Sequence, residues 1–312
     1  MNGAGTSGDP WQVADYDDLK KVGRGYDAGD DQTYALDDYY VLTADIDASA
    51  SATEDGGAGW TPIPRLTAVF DGAGHTIDDL TINRGDNTQA FIAQLDAPNG
   101  LIKDLRLTNV DITASSGNYH GALVGLLYGQ IVRCSATGSV TGGVSNIGFG
   151  GLVGRAYAES GTKISDSYSM VDVTMGSGSS STYTGGVVGR AVEGFVIENS
   201  YYAGVLSPGT ATIGGIVGDA TGTITDCFWD GTVSDDANVS GGGTEESTAE
   251  LQDINTYTTG GPTWDMVLLS AHDGEQETAT WYIDDGNDYP RLWFEYSAPV
   301  ASAPMPQYIY GT

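Results

Sequence analysis

The sequence predicts an all-β fold, a right-handed parallel β-helix with short helical caps, and three observations lead to it. A five-residue phrase that begins and ends with glycine returns at residues 121–125, 150–154, 185–189 and 214–218. A second phrase that begins with Ile follows each copy, and Val, Ile, Tyr and Thr dominate runs separated by Gly, Asn, Asp and Ser. A repeat of about 30 residues is typical of stacked units, because each unit buries its apolar face only against its neighbours.

The second phrase predicts the register of the coil. Its fourth position is apolar or small in successive turns, which predicts an inward column: Leu80, Leu105, Cys134, Ser167, Ser200 and Cys227. Its third position is polar, which predicts an outward or turn column: Asp79, Asp104, Arg133, Asp166, Asn199 and Asp226. Alternation of this kind is typical of β-strands. The constant order of the phrases favours parallel stacking, whereas consecutive hairpins would give a sandwich.

The paired glycines and the two cysteines complete the description of the coil. Gly-Gly at a strand entry is expected to adopt backbone angles that a Cβ forbids, and to let chains approach closely at a corner. Cys134 and Cys227 fall three turns apart in one column. Their separation is therefore expected to be about 14 Å, beyond the roughly 7 Å limit between the Cα atoms of a disulfide. We predict that both thiols are free and buried.

The chain divides into four segments in order. Residues 1–35 are predicted to form an N-terminal arm and a capping helix, since acidic residues precede lysines between Asp15 and Val22. Residues 36–240 form the β-helix, and residues 241–296 form an aromatic-rich C-terminal cap with a helix over 248–257, N-capped by Ser247 or Thr248. Residues 297–312 form a Pro-rich extended tail. The arm and the tail are expected to contact a neighbour in a homo-oligomer.

The charge of the chain predicts its environment. There are 42 acidic and 12 basic residues, and the formal net charge is −30. Molar salt shortens the Debye length to about 3 Å and so removes the self-repulsion of such a surface. We interpret the acidity as adaptation to high salt, with an ordinary acidic surface protein as the alternative. A nucleic-acid partner is disfavoured, because no basic stripe is present to neutralise phosphates.

The apolar pattern predicts no membrane span, because the chain contains no run of 18 apolar residues. The first eight residues lack the basic start and apolar stretch of a secretory signal. We expect either that the signal was removed or that the protein is assembled inside a cell, as a virion component is.

The glycine phrase followed by Ile-x-Asn/Asp-Ser/Cys resembles the GLUG repeat of bacterial and archaeal surface proteins. Residues 41–47, 60–64, 70–77 and 281–292 also resemble segments that flank these repeats. The resemblance covers most of residues 39–294 and implies a right-handed parallel β-helix used in adhesion or surface display. It implies no catalytic residues.

Catalytic, metal and cofactor signatures are not expected. With so many acids, a pair of carboxylates such as Asp78 and Asp79 carries little information about glycoside hydrolysis. The histidines have no zinc-site spacing, and His75 is interpreted as structural. Arg155 and Arg190 each follow a glycine phrase directly and are predicted to pair with nearby carboxylates.

Four tyrosines are the candidate binding residues. Tyr119 and Tyr183 lie two residues before a glycine phrase, and Tyr128 and Tyr157 lie three residues after one. Equal offsets predict that each pair lies on one edge of the coil, where aromatic rings suit sugars and protein partners. Packing at strand ends is the alternative role.

These observations predict a non-enzymatic, surface-exposed structural or adhesion protein of a halophilic system. A virion component, such as a capsid turret, spike or tail fibre, is the leading hypothesis, with host glycan or surface-layer protein as partner. The alternatives are a haloarchaeal cell-surface adhesin and a β-helical polysaccharide lyase or hydrolase.

Overall fold

The structure, a computed structural model, describes residues 1–143, 147–159, 161–176, 183–207, 212–219, 222–234, 242–271 and 279–296. The Pro-rich tail predicted over 297–312 lies outside the described residues. The described chain is mostly β, and its strands stack in parallel as the turns of a solenoid. The predicted parallel β-helix is therefore confirmed.

The secondary-structure elements follow each other in short runs. The strands up to the first long one are β1 (Trp11–Val13), β2 (Gly25–Asp27), β3 (Gln32–Tyr34), β4 (Tyr40–Leu42), β5 (Ile46–Asp47), β6 (Val69–Asp71), β7 (Thr76–Asp78), β8 (Thr81–Arg84), β9 (Ile92–Leu95) and β10 (Leu101–Ala114). The next are β11 (Val124–Leu127), β12 (Gln130–Gly142), β13 (Gly148–Gly150), β14 (Val153–Ala156), β15 (Lys163–Ser165), β16 (Tyr168–Met175), β17 (Tyr183–Gly185), β18 (Val188–Ala191), β19 (Val196–Glu198), β20 (Tyr201–Tyr202), β21 (Leu206–Ser207) and β22 (Thr212–Gly214). The last are β23 (Thr223–Thr225), β24 (Phe228–Asp230), β25 (Thr244–Glu246), β26 (Met266–Leu268), β27 (Trp281–Ile283) and β28 (Arg291–Leu292). The helices are α1 (Tyr16–Leu19), α2 (Thr248–Leu251) and α3 (Asn255–Thr258), with 3₁₀ turns at Ser49–Gly56, Leu269–Ala271 and Trp293–Glu295.

Three parallel sheets form the faces of the coil. The largest follows the order β1-β4-β6-β10-β12-β16-β20-β24-β25, and the second contains β9, β11, β14 and β18. The third contains β13, β17 and β22. In the repeated part of the chain, equivalent strands of successive turns pair in parallel, so equivalent positions of the repeat lie above one another.

The predicted columns are confirmed. The fourth position of the second phrase is buried in the coil at every turn, from Leu80 to Cys227. The residues at the third position all have φ between 46° and 59°. Asp and Asn tolerate this left-handed conformation better than other residues with a Cβ, which explains why the column is polar. Arg133 is the one member of this column that is neither Asp nor Asn, and its guanidinium forms a bidentate pair with Asp104 one turn below.

Both cysteines are free and buried, as predicted. Burial raises the pKa of each thiol to about 12. The two side chains therefore act as small apolar groups in the inward column.

In the three phrases that begin with Gly-Gly, the second glycine leaves room inside the coil for a side chain of the largest sheet. The column opposite these glycines grows along the chain, from Ala136 through Ser169 and Tyr202 to Trp229. A Cβ on Gly186 would lie 2.2 Å from Cγ of Tyr202, and a Cβ on Gly215 would lie 2.2 Å from Cγ of Trp229. Close approach, one of the two expected reasons for the glycines, is thus the one that the structure supports.

The N-terminal segment packs on the first turn of the coil. Strand β1 pairs in parallel with β4, and Asn2 bridges to Gln12. The amide of Tyr39 donates to the carbonyl oxygen of Gly5 at 2.9 Å. Helix α1 follows, N-capped by the Asp15 side chain, and covers only part of the predicted segment between Asp15 and Val22.

The helix predicted over 248–257 is two short helices, α2 and α3. The predicted N-cap at Ser247 is confirmed, and Glu250 completes a capping box. The prediction of one helix is wrong because Asp285 accepts the amide hydrogen of Ile254, and the Asp253 side chain caps the amide of Asn255. These bonds start a new turn instead of continuing the first.

The C-terminal aromatic residues pack against the outer face of the largest sheet. There the rings of Tyr168 and Tyr201, on neighbouring turns, stack with centroids 4.8 Å apart. Trp281 and other cap residues cover them and form a second apolar core beside the coil. Glu295 accepts hydrogen bonds from Ser135 and Tyr168, and burial raises the pKa of its carboxyl group. The C-terminal segment therefore contacts several turns of the coil along the outer face of the largest sheet.

Candidate functional site

The second sheet places one outward column along the side of the coil. In this sheet Gln94, Leu126, Arg155 and Arg190 are register partners on successive turns. The residue that directly follows each of them is buried, so the alternation of the strand directs these four side chains outward. The buried residues are Leu95, Leu127, Ala156 and Ala191. Arg155 and Arg190 therefore lie on adjacent turns of one face.

Tyr128 and Tyr157 directly follow strands β11 and β14. Their rings stack with centroids 4.3 Å apart and an interplanar angle of 9°. Burial, together with the hydrogen bond to Tyr157, raises the pKa of Tyr128 to about 12. The prediction that this pair shares one edge of the coil is confirmed.

Arg155 joins this pair to Tyr119. Its guanidinium lies 4.2 Å from the ring centroid of Tyr157 and 5.1 Å from that of Tyr119. Its Nη1 also donates to the Tyr119 hydroxyl at 2.8 Å. A cation over an aromatic ring is attracted by the ring quadrupole, so the two tyrosines hold the guanidinium in place.

Tyr183 and Arg190 extend the same surface by one turn. The Arg190 guanidinium lies 5.0 Å from the centroid of the Tyr183 ring. Gly148 is the register partner of Tyr183 and lies beside Tyr119, and a Cβ on it would lie 3.2 Å from Cδ1 of Tyr119. We call this surface the tyrosine–arginine face, and its members are Tyr119, Tyr128, Arg155, Tyr157, Tyr183 and Arg190.

The two arginines were not among the residues predicted to form the site. Arg190 pairs with Asp219, with 3.5 Å between Nε and Oδ2, as predicted. The carboxylate partner predicted for Arg155 is not found among the described residues, where tyrosine rings and a tyrosine hydroxyl surround the guanidinium instead. The equal offset of both arginines after a glycine phrase is the sequence signal that could have placed them with the tyrosines.

Arg155 is unusual in so acidic a chain. Ten of the 12 basic side chains have a carboxylate oxygen within 4.0 Å in the part of the chain that the structure describes. The other two are Arg24, which donates to the carbonyl oxygens of Thr61 and Pro62, and Arg155. Arg155 therefore brings to the face a positive charge with no described carboxylate oxygen within 4.0 Å, whereas Arg190 pairs with Asp219.

A polar groove of about 550 Å³ lies on another part of the coil, beside β5, β7 and β10. Asp45, Asp47, Asp78 and Arg106 contribute its charged groups. Asp45 accepts from the amide of Thr76 at 2.9 Å, and its Oδ1 lies 3.2 Å from Nδ1 of His75. These contacts fit the structural role predicted for His75.

Among the described residues, no group of three or more His, Cys, Asp or Glu side chains is arranged to hold a metal ion. The described helices are also too short and too polar to cross a bilayer.

No protein-family model matches the chain, so the resemblance to the GLUG family stays a prediction. The chain is 34% identical over 164 residues to Halomucin of Haloquadratum walsbyi. This match covers 50% of this chain and 2% of Halomucin. It is 31% identical over 142 residues to a candidate Gly-rich membrane protein of Evansella cellulosilytica, covering 43% of this chain and 15% of that one. The chain thus spans a small part of each relative.

One solved structure supports the fold. The crystal structure of a candidate immunoglobulin A1 protease from Bacteroides ovatus has a TM-score of 0.55 with this chain, at 18% sequence identity. The match covers 94% of both chains. At this identity the likeness concerns the fold alone.

Proposed function

We propose that the chain is a non-enzymatic, surface-exposed module of a halophilic system, which contacts glycan or protein on another surface. The observation that carries this proposal is the tyrosine–arginine face, where aromatic rings and cations meet on a chain with a net charge of −30. Tyr and Arg are enriched at binding surfaces because they combine large contact areas with hydrogen bonding. The similarity to Halomucin supports a haloarchaeal surface setting.

Two placements of this module are compatible with the proposal. A virion component, with host glycan or surface-layer protein as partner, is the hypothesis from the sequence. A haloarchaeal cell-surface adhesin is its alternative, and the similarity to Halomucin favours this alternative. Both placements use the same half-buried tyrosine–arginine face, and both include assembly as a homo-oligomer.

An enzyme remains the competing class. The groove that contains Asp45, Asp47 and Asp78 supplies the clustered carboxylates that a glycoside hydrolase needs. Depolymerisation of an acidic polysaccharide by the intact chain, lost in Asp78→Asn, would favour it over the binding module.

Removing the stacked tyrosines is expected to weaken attachment to haloarchaeal envelopes. The double substitution Tyr128→Ala and Tyr157→Ala should reduce binding of the labelled chain by about tenfold or more, as is usual for central aromatic contacts. Co-sedimentation with purified envelopes at about 3 M KCl measures this. Tyr26, with 64% of its surface exposed and no place in the face, provides the control Tyr26→Ala. Equal binding by wild type and the double variant would contradict the proposal.

Lowering the salt is expected to destabilise the chain. Self-repulsion of 30 net negative charges extends over about 10 Å at 0.1 M salt, but only about 3 Å at 1 M. The thermal midpoint from circular dichroism should therefore be lower at about 0.1 M than at about 3 M KCl. Light scattering under the same conditions gives the molar mass and tests the homo-oligomer. An unchanged midpoint would remove the argument for a halophilic setting.

A further inference from the structure

We propose that the tyrosine–arginine face recognises the anionic groups of an acidic polysaccharide, with Arg155 as the principal contact. The shared chemistry is a carboxylate or sulfate group on a sugar. This inference rests on the proposed function, because it names the ligand class of the same face.

The first argument is the state of the Arg155 guanidinium. Its Nη1 donates a hydrogen bond to the neutral hydroxyl of Tyr119, and its Nε is buried without a hydrogen-bond partner. Among the described residues no carboxylate oxygen lies within 4.0 Å of it, unlike most basic side chains of the chain. A guanidinium has five donors, and Nε is buried, so the Nη donors that Tyr119 does not accept are the ones left for an anion that approaches from the solvent.

The second argument is the fixed position of that guanidinium. The rings of Tyr157 and Tyr119, at 4.2 Å and 5.1 Å, restrict its rotation. A planar guanidinium matches the two oxygens of a carboxylate or sulfate, and prior fixation reduces the entropy lost on binding. The tyrosine hydroxyls beside it suit the hydroxyl groups of a sugar ring.

The third argument is the charge that surrounds the face. Because the chain carries 42 acidic residues, an anionic polymer is repelled at long range when salt is low. Contact hydrogen bonds act within the first few ångströms and are screened less than this repulsion. Affinity for an acidic polysaccharide is therefore expected to rise with salt, the reverse of ordinary electrostatic attraction.

The experiment measures binding of the full chain to three labelled polymers by fluorescence anisotropy in KCl between about 0.1 M and 3 M, a range over which the Debye length falls from about 10 Å to 3 Å or less. The polymers are polygalacturonate, which carries carboxylates, dextran sulfate, and uncharged dextran. The variants are Arg155→Gln, Arg155→Lys and the control Lys20→Gln. Lys20 lies after α1, pairs with Asp17, and gives the same change of net charge away from the face.

We expect binding to at least one charged polymer but not to dextran, with affinity increasing with salt. Arg155→Gln should weaken binding about tenfold, because the loss of a hydrogen bond between charged groups usually lowers affinity by about this factor or more. Arg155→Lys should retain only part of the affinity that Arg155→Gln loses, because a lysine lacks the planar pair of donors. Lys20→Gln should bind as wild type does, and circular dichroism checks the fold of each variant.

Three results would overturn the inference. Equal binding to dextran, unaffected by Arg155→Gln, would leave a glycan-binding face that does not select anions, and the proposed function would stand. Equal losses in Lys20→Gln and Arg155→Gln would indicate a general charge effect. Absence of binding to all three polymers would reject the ligand class. Co-sedimentation with haloarchaeal envelopes tests the proposed function separately. If Arg155→Gln does not fold, Tyr119→Phe removes the acceptor that orients Arg155 and should also weaken binding.

Discussion

Gly215→Ala is expected to lower the free energy of unfolding by about 2–3 kcal/mol, the upper range for an overpacked core. A Cβ on Gly215 would lie 2.2 Å from Cγ and 2.4 Å from both Cδ atoms of the Trp229 indole. Rotation about the Cβ–Cγ bond leaves Cγ in place, so relief of the clash requires a different χ1 rotamer inside the packed core or a shift of the strand. Urea unfolding in molar KCl, followed by circular dichroism, measures the change.

A double-mutant cycle distinguishes this clash from a general effect of the substitution. In a Trp229→Ala background the extra methyl group meets no ring, so Gly215→Ala should be near neutral or stabilise by about 0.4–1 kcal/mol through the unfolded chain. Gly8→Ala is the matched control, because nothing lies within 4 Å of a Cβ at that position. Equal losses in the two backgrounds would show that the indole is not the cause.

The repeat explains why so much of the fold could be predicted. Each turn has similar residue types at equivalent positions, so the positions that hold Asp104 and Cys134 could be assigned by comparing copies of one phrase. Parallel stacking then places equal offsets above one another, which is why Tyr128 and Tyr157 were expected to meet and do stack.

The reason for the glycines could be predicted only in part. The sequence suggested forbidden backbone angles, but the second glycines of the phrases are absent from the residues with positive φ in the described chain. Their role depends on the opposite wall of the coil, where Tyr202 and Trp229 cross the core. Such a contact joins two different strands of the repeat, and neither strand alone indicates it.

The parts without a repeat were predicted least well. The C-terminal segment has no internal period, so nothing in its sequence indicated that Trp281 would pack beside Tyr168 and Tyr201 on the outer face. The contacts of Arg155 were missed for a related reason. With 42 acidic residues in the chain, a carboxylate partner seemed the default, and only the three-dimensional column shows tyrosines on both sides.

His120 is expected to make the chain less stable in acid. The side chain is fully buried, and its ring centroid lies 4.8 Å from that of Phe149. Its Nδ1 accepts the amide hydrogen of Gln89 at 3.0 Å, so the native imidazole is neutral at this nitrogen. Burial lowers the pKa of His120 to about 4, against an unfolded value of 6.5.

The difference between the folded and the unfolded pKa of His120 decides how stability changes with pH. Above about pH 6.5 both states are neutral and His120 contributes no pH dependence. As the pH falls towards 4, the unfolded chain binds a proton that the folded chain does not, so stability falls, by about 3 kcal/mol in all from this residue. Urea unfolding at a series of pH values in constant molar KCl measures the loss.

His120→Asn isolates the contribution of the imidazole, because an amide oxygen can still accept from Gln89 but does not titrate. Carboxylates titrate in the same range, so the informative quantity is the difference between wild type and variant at each pH. This difference should shrink as the pH falls, since only wild type bears the cost of keeping a buried imidazole neutral. Parallel pH profiles for wild type and His120→Asn would mean that the folded chain protonates His120 without loss.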